Sequence, residues 1–137
     1  MKSSRANDQQ KFAALLKIQN LTRQTEVASC AQVADTAASR NKGLLGRSSL
    51  PSGGGLWIIP CNSVHTFFMK FPIDLIYLNR RKKVRKVCGN VGAWRISACL
   101  FAHSILELPA GTIHNSGTQL GDQLEFAPST SVSLPAK

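Results

Sequence analysis

Short runs in which apolar and polar residues alternate extend along most of this chain, and this pattern predicts β-strands. Residues 104–108 alternate most clearly and end at a Pro-Ala-Gly-Thr turn at residues 109–112. Residues 79–83 are typical of a hairpin turn, because apolar runs flank them. Residues 12–19 are ambiguous: their pattern fits one weak face of a helix, and part of it also alternates as a strand does. The predicted strands are 16–20, 27–34, 56–59, 61–69, 73–78, 84–87, 94–97, 104–108 and 123–126.

One short helix is predicted near residues 36–46. Asp35 and Thr36 are favourable N-cap residues, and Gly46 is placed to end the helix in a left-handed conformation. Gly43 lowers the stability of this helix, so we expect it to permit a close approach of the backbone to a neighbour. One helix among many short strands predicts a mainly β fold, either a small antiparallel β-sandwich of jelly-roll type or a barrel.

Length and composition predict one domain. The chain has 137 residues, of which 43% are apolar, and this is enough for a sizeable core without disulfides or metal. We expect residues 12–127 to form a single globular domain. Residues 1–11 are predicted to be a disordered lead-in, and residues 128–137 a disordered tail rich in Ser and Pro.

The cysteines and the apolar runs predict a cytoplasmic protein. Four cysteines lie far apart without a Cys-x-x-Cys pair, which is typical of buried thiols in a reducing compartment. No apolar stretch approaches the roughly 20 residues of a transmembrane helix, and the run at residues 12–16 is too short for a signal peptide. The glycines at residues 53–55 lack the sequence of a phosphate-binding loop, and no cofactor is predicted.

Positive charge is concentrated at one predicted hairpin. Seventeen Lys and Arg residues against seven Asp and Glu residues give a net charge of +10, which attracts nucleic acids and anionic surfaces. The alternative, which we favour, is a solvated hairpin tip that protects a sheet edge, because no aromatic residues lie between the charges. This basic patch comprises Arg80, Arg81, Lys82, Lys83, Arg85 and Lys86.

Residues 61–78 combine the longest apolar and aromatic run with several chemically reactive groups. Cys61, His65 and Met69 recur at every fourth position and share one face of a strand or of a helix. Such a soft set would suit Cu(I), but four residues of strand span about 13 Å, so we predict no metal site. Met69 and the two preceding phenylalanines are instead expected to pack in the core.

Asp74 lies between two apolar residues of a segment predicted to be buried. A carboxylate there needs hydrogen bonds or a charged partner, and Arg47, Lys70 and His65 are candidates. The favoured interpretation is a structural link. The alternative is a shallow polar pocket formed with His65, which would require the corner predicted at Pro72 to bring the two side chains together.

Five segments carry a specific combination of motifs: residues 40–51, 55–57, 65–74, 106–111 and 121–122. The combination of Gly-Leu-Leu-Gly-Arg with His-Thr-Phe-Phe-Met-Lys-Phe-Pro-Ile-Asp resembles the family called domain of unknown function 192, over roughly residues 27–126. The resemblance implies a small, mainly β domain of sandwich or jelly-roll type with one helix, and it implies no activity. Many relatives are similar to exported or membrane-tethered proteins, from which this chain differs in lacking a recognisable leader.

Three functional hypotheses follow from these patterns. We favour a non-catalytic accessory or ligand-binding domain whose partner is a small molecule or a protein. The second hypothesis is a hydrolase-like enzyme that uses His65 and Asp74, with Cys61 as a further candidate. The third is a nucleic-acid or anionic-surface binder that uses residues 80–86. The predicted ligand-binding residues are Trp57, Ser63, His65, Thr66, Met69 and Asp74.

Overall fold

A curled seven-stranded sheet forms most of the protein in the computed structural model, which describes residues 15–129. The predictions for residues 1–11 and 130–137 lie outside the described residues. The elements are β1 (Leu16–Asn20), β2 (Thr25–Ala34), α1 (Ala37–Lys42), β3 (Gly54–Ile58), β4 (Ser63–His65), β5 (Ile73–Leu78), β6 (Val84–Val91), β7 (Ile96–Ala98), β8 (Ser104–Pro109), α2 (Thr112–Ser116) and β9 (Leu124–Pro128).

The seven strands follow the order β6-β5-β8-β3-β2-β1-β9. Neighbouring strands are antiparallel except for the parallel pair β2 and β3, in which Cys30 lies opposite Gly54. The sheet curls so far that its two edge strands approach each other, since Lys83 and Gln123 form an isolated antiparallel bridge. The result is a half-barrel, which confirms the mainly β class.

The sheet is covered on both faces, and a separate hydrophobic core lies on each. The first core contains Ile18, Ala31, Ile76, Leu106 and Leu124. The second core packs the opposite face and contains Ala34, Leu44, Ile58, Leu75, Tyr77 and Ile105. Because successive side chains of a strand point to opposite faces, each central strand contributes to both cores. Asp74 of β5 and Glu107 of β8 are therefore both buried, although they point to opposite faces.

A small two-stranded sheet covers part of the second core. It consists of β4 and β7, which are antiparallel, with His65 opposite Ile96. Val64 of β4 packs against the second core, whereas Ser63 and His65 on either side of it are exposed. The strand predicted over residues 61–69 is therefore shorter than expected, and Thr66 to Met69 form a turn closed by the Met69 N–H and the Thr66 carbonyl.

The described residues contain two short helices. The first confirms the helix near residues 36–46; Thr36 caps it through the N–H of Ser39, and Gly43, not Gly46, is its C-cap. The second, α2, lies where the sequence predicted only a turn and a loop. Neither helix within residues 15–129 is long and apolar enough to cross a lipid bilayer.

Candidate functional site

Asp74 is a structural anchor on the first face of the sheet. Its carboxylate accepts hydrogen bonds from the backbone N–H groups of Asn90 at 2.8 Å, Gly111 at 3.2 Å and Ile113 at 2.8 Å. The side chain is buried, and these bonds supply the polar partners that a buried carboxylate requires. Asp74 thus links β5 to β6 and to the start of α2.

His65 lies on the other side of the sheet from Asp74. Its neighbour Val64 packs on the second core, which receives the side chains of Ile73 and Leu75, so Asp74 between them points to the opposite face. The Nδ1 atom of His65 accepts a hydrogen bond from the Phe67 N–H at 3.3 Å. The corner at Pro72 therefore does not bring His65 and Asp74 together.

Trp57 and Thr66, two further predicted site residues, make contacts within the fold. The Trp57 ring lies 4.5 Å from that of Phe126 against the first core, with the Lys82 ammonium 5.5 Å away. Thr66 is buried; its Oγ1 donates to the Gly92 carbonyl at 2.7 Å and accepts from the Arg95 N–H at 2.9 Å. These contacts place Trp57 and Thr66 in the framework of the fold.

The remaining three predicted residues, Ser63, His65 and Met69, line one cavity of about 350 Å³. Its volume is at the lower end of the range found for small-molecule sites. One wall is formed by residues 40–45, which end α1 and continue into the following turn. The other contributing residues are Ile58, Cys61, Val64 and Glu107.

Glu107, which the sequence analysis did not select, is the most unusual group in this cavity. It lies on the central strand β8, opposite Leu56 of β3 and Leu75 of β5. Only 5% of its surface is exposed, and its Oε1 atom has no hydrogen-bond partner among residues 15–129. Burial raises the pKa of Glu107 to about 7, against an opposing influence of the Arg47 guanidinium.

Gly43 and Arg47 shape the surroundings of this carboxyl group. Gly43 adopts a φ of +49°, and a Cβ atom at this position would lie 3.5 Å from Oε1 of Glu107. Arg47 donates a hydrogen bond to Oε1 of Gln32 on β2, which fastens the turn after α1 to the sheet. The neighbour that the backbone approaches at Gly43 is therefore the buried carboxyl group of Glu107.

The groups of the hydrolase hypothesis are not assembled. The thiol of Cys61 donates to the Ser63 carbonyl at 3.1 Å, and burial raises the pKa of this thiol, which disfavours the nucleophilic thiolate. Asp74, the proposed third member, faces the opposite side of the sheet. Within the described part of the chain, no three His, Cys, Asp or Glu side chains lie close enough together to hold a metal ion.

Part of the basic patch lies beside the end of β7 and the loop that follows it. Arg80 and Arg81 line a shallow cleft together with Leu100 and Phe101. The Arg85 guanidinium lies 5.7 Å from the Phe101 ring centroid. The Lys86 ammonium donates to the Ala98 carbonyl at 2.8 Å, while Lys82 lies over Trp57 on the other side of the molecule. Apolar side chains that are distant in sequence thus lie beside these cations.

Comparisons with known proteins identify the fold and a family. The family model DUF192, described as "Uncharacterized ACR", matches residues 18–126. A protein of unknown function from Novosphingobium aromaticivorans DSM 12444 is 19% identical, with a TM-score of 0.70 and coverage of 81% of this chain and 83% of that chain. A "putative transcription regulator" from Sinorhizobium meliloti 1021 is 20% identical, with a TM-score of 0.72 and coverage of 82% and 92%. No functionally curated protein matches the chain.

Proposed function

This chain belongs to the DUF192 family, which is described only as uncharacterised, and we propose that it is a non-catalytic, ligand-binding domain. The ligand occupies the cavity between the turn after α1 and the small sheet. The observation that carries this proposal is the buried Oε1 atom of Glu107, which lines the cavity and has no partner among residues 15–129. A buried polar atom without a partner is unfavourable, and a ligand that donates a hydrogen bond removes this penalty.

The composition of the walls defines the ligand class. Leu44, Ile58 and Met69 supply an apolar surface, whereas Glu107 offers a single acceptor at the sheet. A small polar molecule with a hydroxyl or amino group at one end and a short carbon skeleton satisfies both features. Amino acids, hydroxy acids and polyols of this size are therefore the ligands to test.

The protonation state of Glu107 distinguishes these compounds. With a pKa of about 7, the carboxyl group is ionised in about half of the molecules at neutral pH. An ammonium group pairs with the ionised form, so its affinity rises as the pH increases through 7. A neutral hydroxyl group binds with a weaker dependence on pH.

The test is a thermal-shift screen of the full-length chain against amino acids, hydroxy acids and polyols. At least one compound should raise the melting temperature of the unaltered protein, and Glu107→Leu, which removes the acceptor, should abolish this rise. Glu125→Leu is the matched control, because Glu125 is an exposed residue of β9 that does not line the cavity. The proposal is wrong if no compound stabilises the protein, or if Glu107→Leu responds as strongly as the control.

We also propose that the protein works in the cytoplasm. The free thiols of Cys61, Cys88 and Cys99 support this location, because such thiols persist in a reducing compartment. In intact cells, a membrane-impermeant maleimide should leave these cysteines unlabelled until the cells are lysed. Labelling before lysis would contradict the proposal.

A further inference from the structure

Large apolar side chains are exposed on the small sheet and on the segments that flank it, and we call this group the apolar stripe. Soluble proteins expose single apolar residues routinely, but a contiguous group indicates a surface that binds a partner. The stripe follows β7 and the residues on either side of it. Its members are Phe68 (70% exposed), Trp94 (61%), Ile96 (75%), Leu100 (85%) and Phe101 (75%).

The members of the stripe follow one another along β7 and at its two ends. Ile96 and Ala98 share the outer face of β7. Trp94 precedes this strand and Leu100 follows it, and all four side chains are exposed. At the other end of the small sheet, the Phe68 ring lies 4.6 Å from the Trp94 ring. The stripe therefore continues from the turn that follows β4 to the loop that follows β7.

The backbone holds two of the aromatic side chains in this exposed position. Phe68 and Trp94 both adopt a φ of +64°, which is an outlier for bulky residues and raises the energy of the chain. Buried Thr66 fixes both turns: its carbonyl accepts from the N–H groups of Met69 and Trp94, each at 3.1 Å. Strained backbone stabilised by a buried polar residue is typical of functional surfaces.

Positive charge adjoins one end of the stripe. Arg80 and Arg81 share a cleft with Leu100 and Phe101, and the Arg85 guanidinium lies 5.7 Å from the Phe101 ring centroid. Residues 62–106 contain only one acidic residue, Asp74, which is buried and bound to backbone N–H groups. This stretch thus offers cations and exposed apolar groups with no exposed carboxylate.

We propose that the apolar stripe and the adjoining arginines bind the surface of an anionic lipid bilayer. Trp94, Phe68 and Leu100 enter the boundary between headgroups and acyl chains, where aromatic and aliphatic side chains are favourable. Arg80 and Arg81 lie at the level of the lipid phosphates and attract the negative surface. This surface does not include Glu107, so the inference does not depend on the proposed ligand.

Two other occupants fit the surface less well. Nucleic acid stacks on aromatic rings, but Ile96 and Leu100, two of the three most exposed members, have no ring to stack on bases. A second copy of the chain would bring two molecules of charge +10 together with the arginines of both at the contact. A bilayer accepts aliphatic side chains and cations together.

The test is flotation of the full-length chain with phosphatidylcholine vesicles that contain or lack phosphatidylserine. The chain should float only with the anionic vesicles, and the bound fraction should fall as salt is added. Replacing Arg80, Arg81 and Arg85 with Gln should lower the affinity about 100-fold, since each cation contributes about fivefold.

Apolar contact is tested by Leu100→Ser combined with Phe101→Ser, which should lower vesicle binding at least tenfold. Leu120→Ser is the matched control, because Leu120 is 70% exposed but lies outside the stripe. Circular dichroism checks that each variant is folded. In a Trp57→Phe variant, whose only tryptophan is Trp94, the fluorescence should also shift to shorter wavelength on binding, since the Trp94 ring leaves water.

Three results would overturn the proposal. The first is absence of the chain from floated anionic vesicles. The second is equal vesicle binding by Leu100→Ser/Phe101→Ser and by Leu120→Ser. The third is binding of single-stranded RNA, or dimerisation in light scattering, that requires Leu100 and Phe101 while no vesicle binding is observed.

Discussion

Gly43 and Glu107 are separated by 64 residues in sequence and lie side by side at the cavity. A Cβ atom at position 43 would be 3.5 Å from Oε1 of Glu107 and 3.9 Å from the Arg40 carbonyl oxygen. The backbone conformation at Gly43 has a φ of +49°, which glycine adopts at little energetic cost. The end of α1 therefore comes close to the buried carboxyl group without covering it.

Substitution of Gly43 tests this arrangement. Gly43→Ala should destabilise the protein by about 1–2 kcal/mol, because alanine is strained at positive φ. Its methyl group should also weaken binding of a cavity ligand, since it approaches Oε1 of Glu107. Gly46→Ala is the control: Gly46 has a φ of +86° with no atom within 4 Å of a Cβ. Urea unfolding should show similar losses for both variants, and calorimetry should show weaker binding for Gly43→Ala alone.

Glu107 should make the protein less stable as the pH rises. Its pKa increases from an ordinary 4.5 to about 7 on folding, so the folded state holds a proton that the unfolded state loses. The contribution of Glu107 to stability is therefore fully present below pH 4.5 and declines between about pH 4.5 and 7, by about 3 kcal/mol in total. Urea unfolding at several pH values measures this decline.

Glu107→Gln should remove this decline, because an amide does not titrate. Glu125→Gln should retain it and so serves as the control. Equal pH profiles of the two variants would show that Glu107 has an ordinary pKa.

Asp74 should contribute to stability and not to binding. Asp74→Ala removes the acceptor of three backbone N–H groups and should lower the free energy of unfolding by about 3–5 kcal/mol. Protection from hydrogen exchange should fall first at Asn90, Gly111 and Ile113. Asp35→Ala is a matched substitution at an exposed position and should change the free energy of unfolding by less than about 1 kcal/mol. Loss of vesicle or ligand binding by folded Asp74→Ala would contradict this role.

The pairing of Arg23 with Asp122 should stabilise the fold above acidic pH. Burial would raise the pKa of Asp122, but hydrogen bonds from Arg23 at 3.0 and 3.1 Å, from Asn20 and from the Gln119 N–H lower it overall. A lowered pKa gives stability that is complete above the unfolded pKa and is lost as the pH falls through the folded pKa.

Arg23→Gln should therefore destabilise the protein at neutral pH, and the difference from the unaltered protein should shrink in acid. Lys17→Gln breaks only an exposed contact of 3.8 Å and should have little effect at either pH. Thermal melts at pH 7 and pH 3 provide the comparison. A difference for Arg23→Gln that is the same at both pH values would refute the pairing as its cause.

The sequence predicted the strands better than it predicted α2. The reason is that the group which caps the N-terminus of α2 comes from a distant part of the chain. The N-terminus of α2 has no side-chain cap from its own segment, since Gly111 occupies the N-cap position. Asp74 accepts from the Gly111 and Ile113 N–H groups instead, across at least 37 residues. A local pattern contains no trace of such a partner.

The sequence analysis did not identify Glu107 as a site residue, because a strand of alternating apolar and polar residues usually has one solvent-exposed face. The sequence does contain a contrary signal. Apolar residues occupy both odd and even positions of this strand, Ile105 on one face and Leu106 and Leu108 on the other, which indicates a strand covered on both sides. Phe68 shows the opposite error: it was expected in the core, and the turn held by Thr66 exposes it. Both outcomes depend on which elements cover the sheet, and this is a tertiary property.

The pairing of β1 with β9 has a consequence for synthesis of the protein. Leu16 lies opposite Pro128 and Asn20 opposite Leu124, so one side of an early strand has no partner until the last strand has left the ribosome. The β1–β2 hairpin forms from local contacts long before that moment, and the nascent chain then carries an open row of N–H and C=O groups. If synthesis ended before residue 124, the truncated product would thus keep an unpaired strand edge that can pair with other chains, and chaperones and proteases would be expected to act on it.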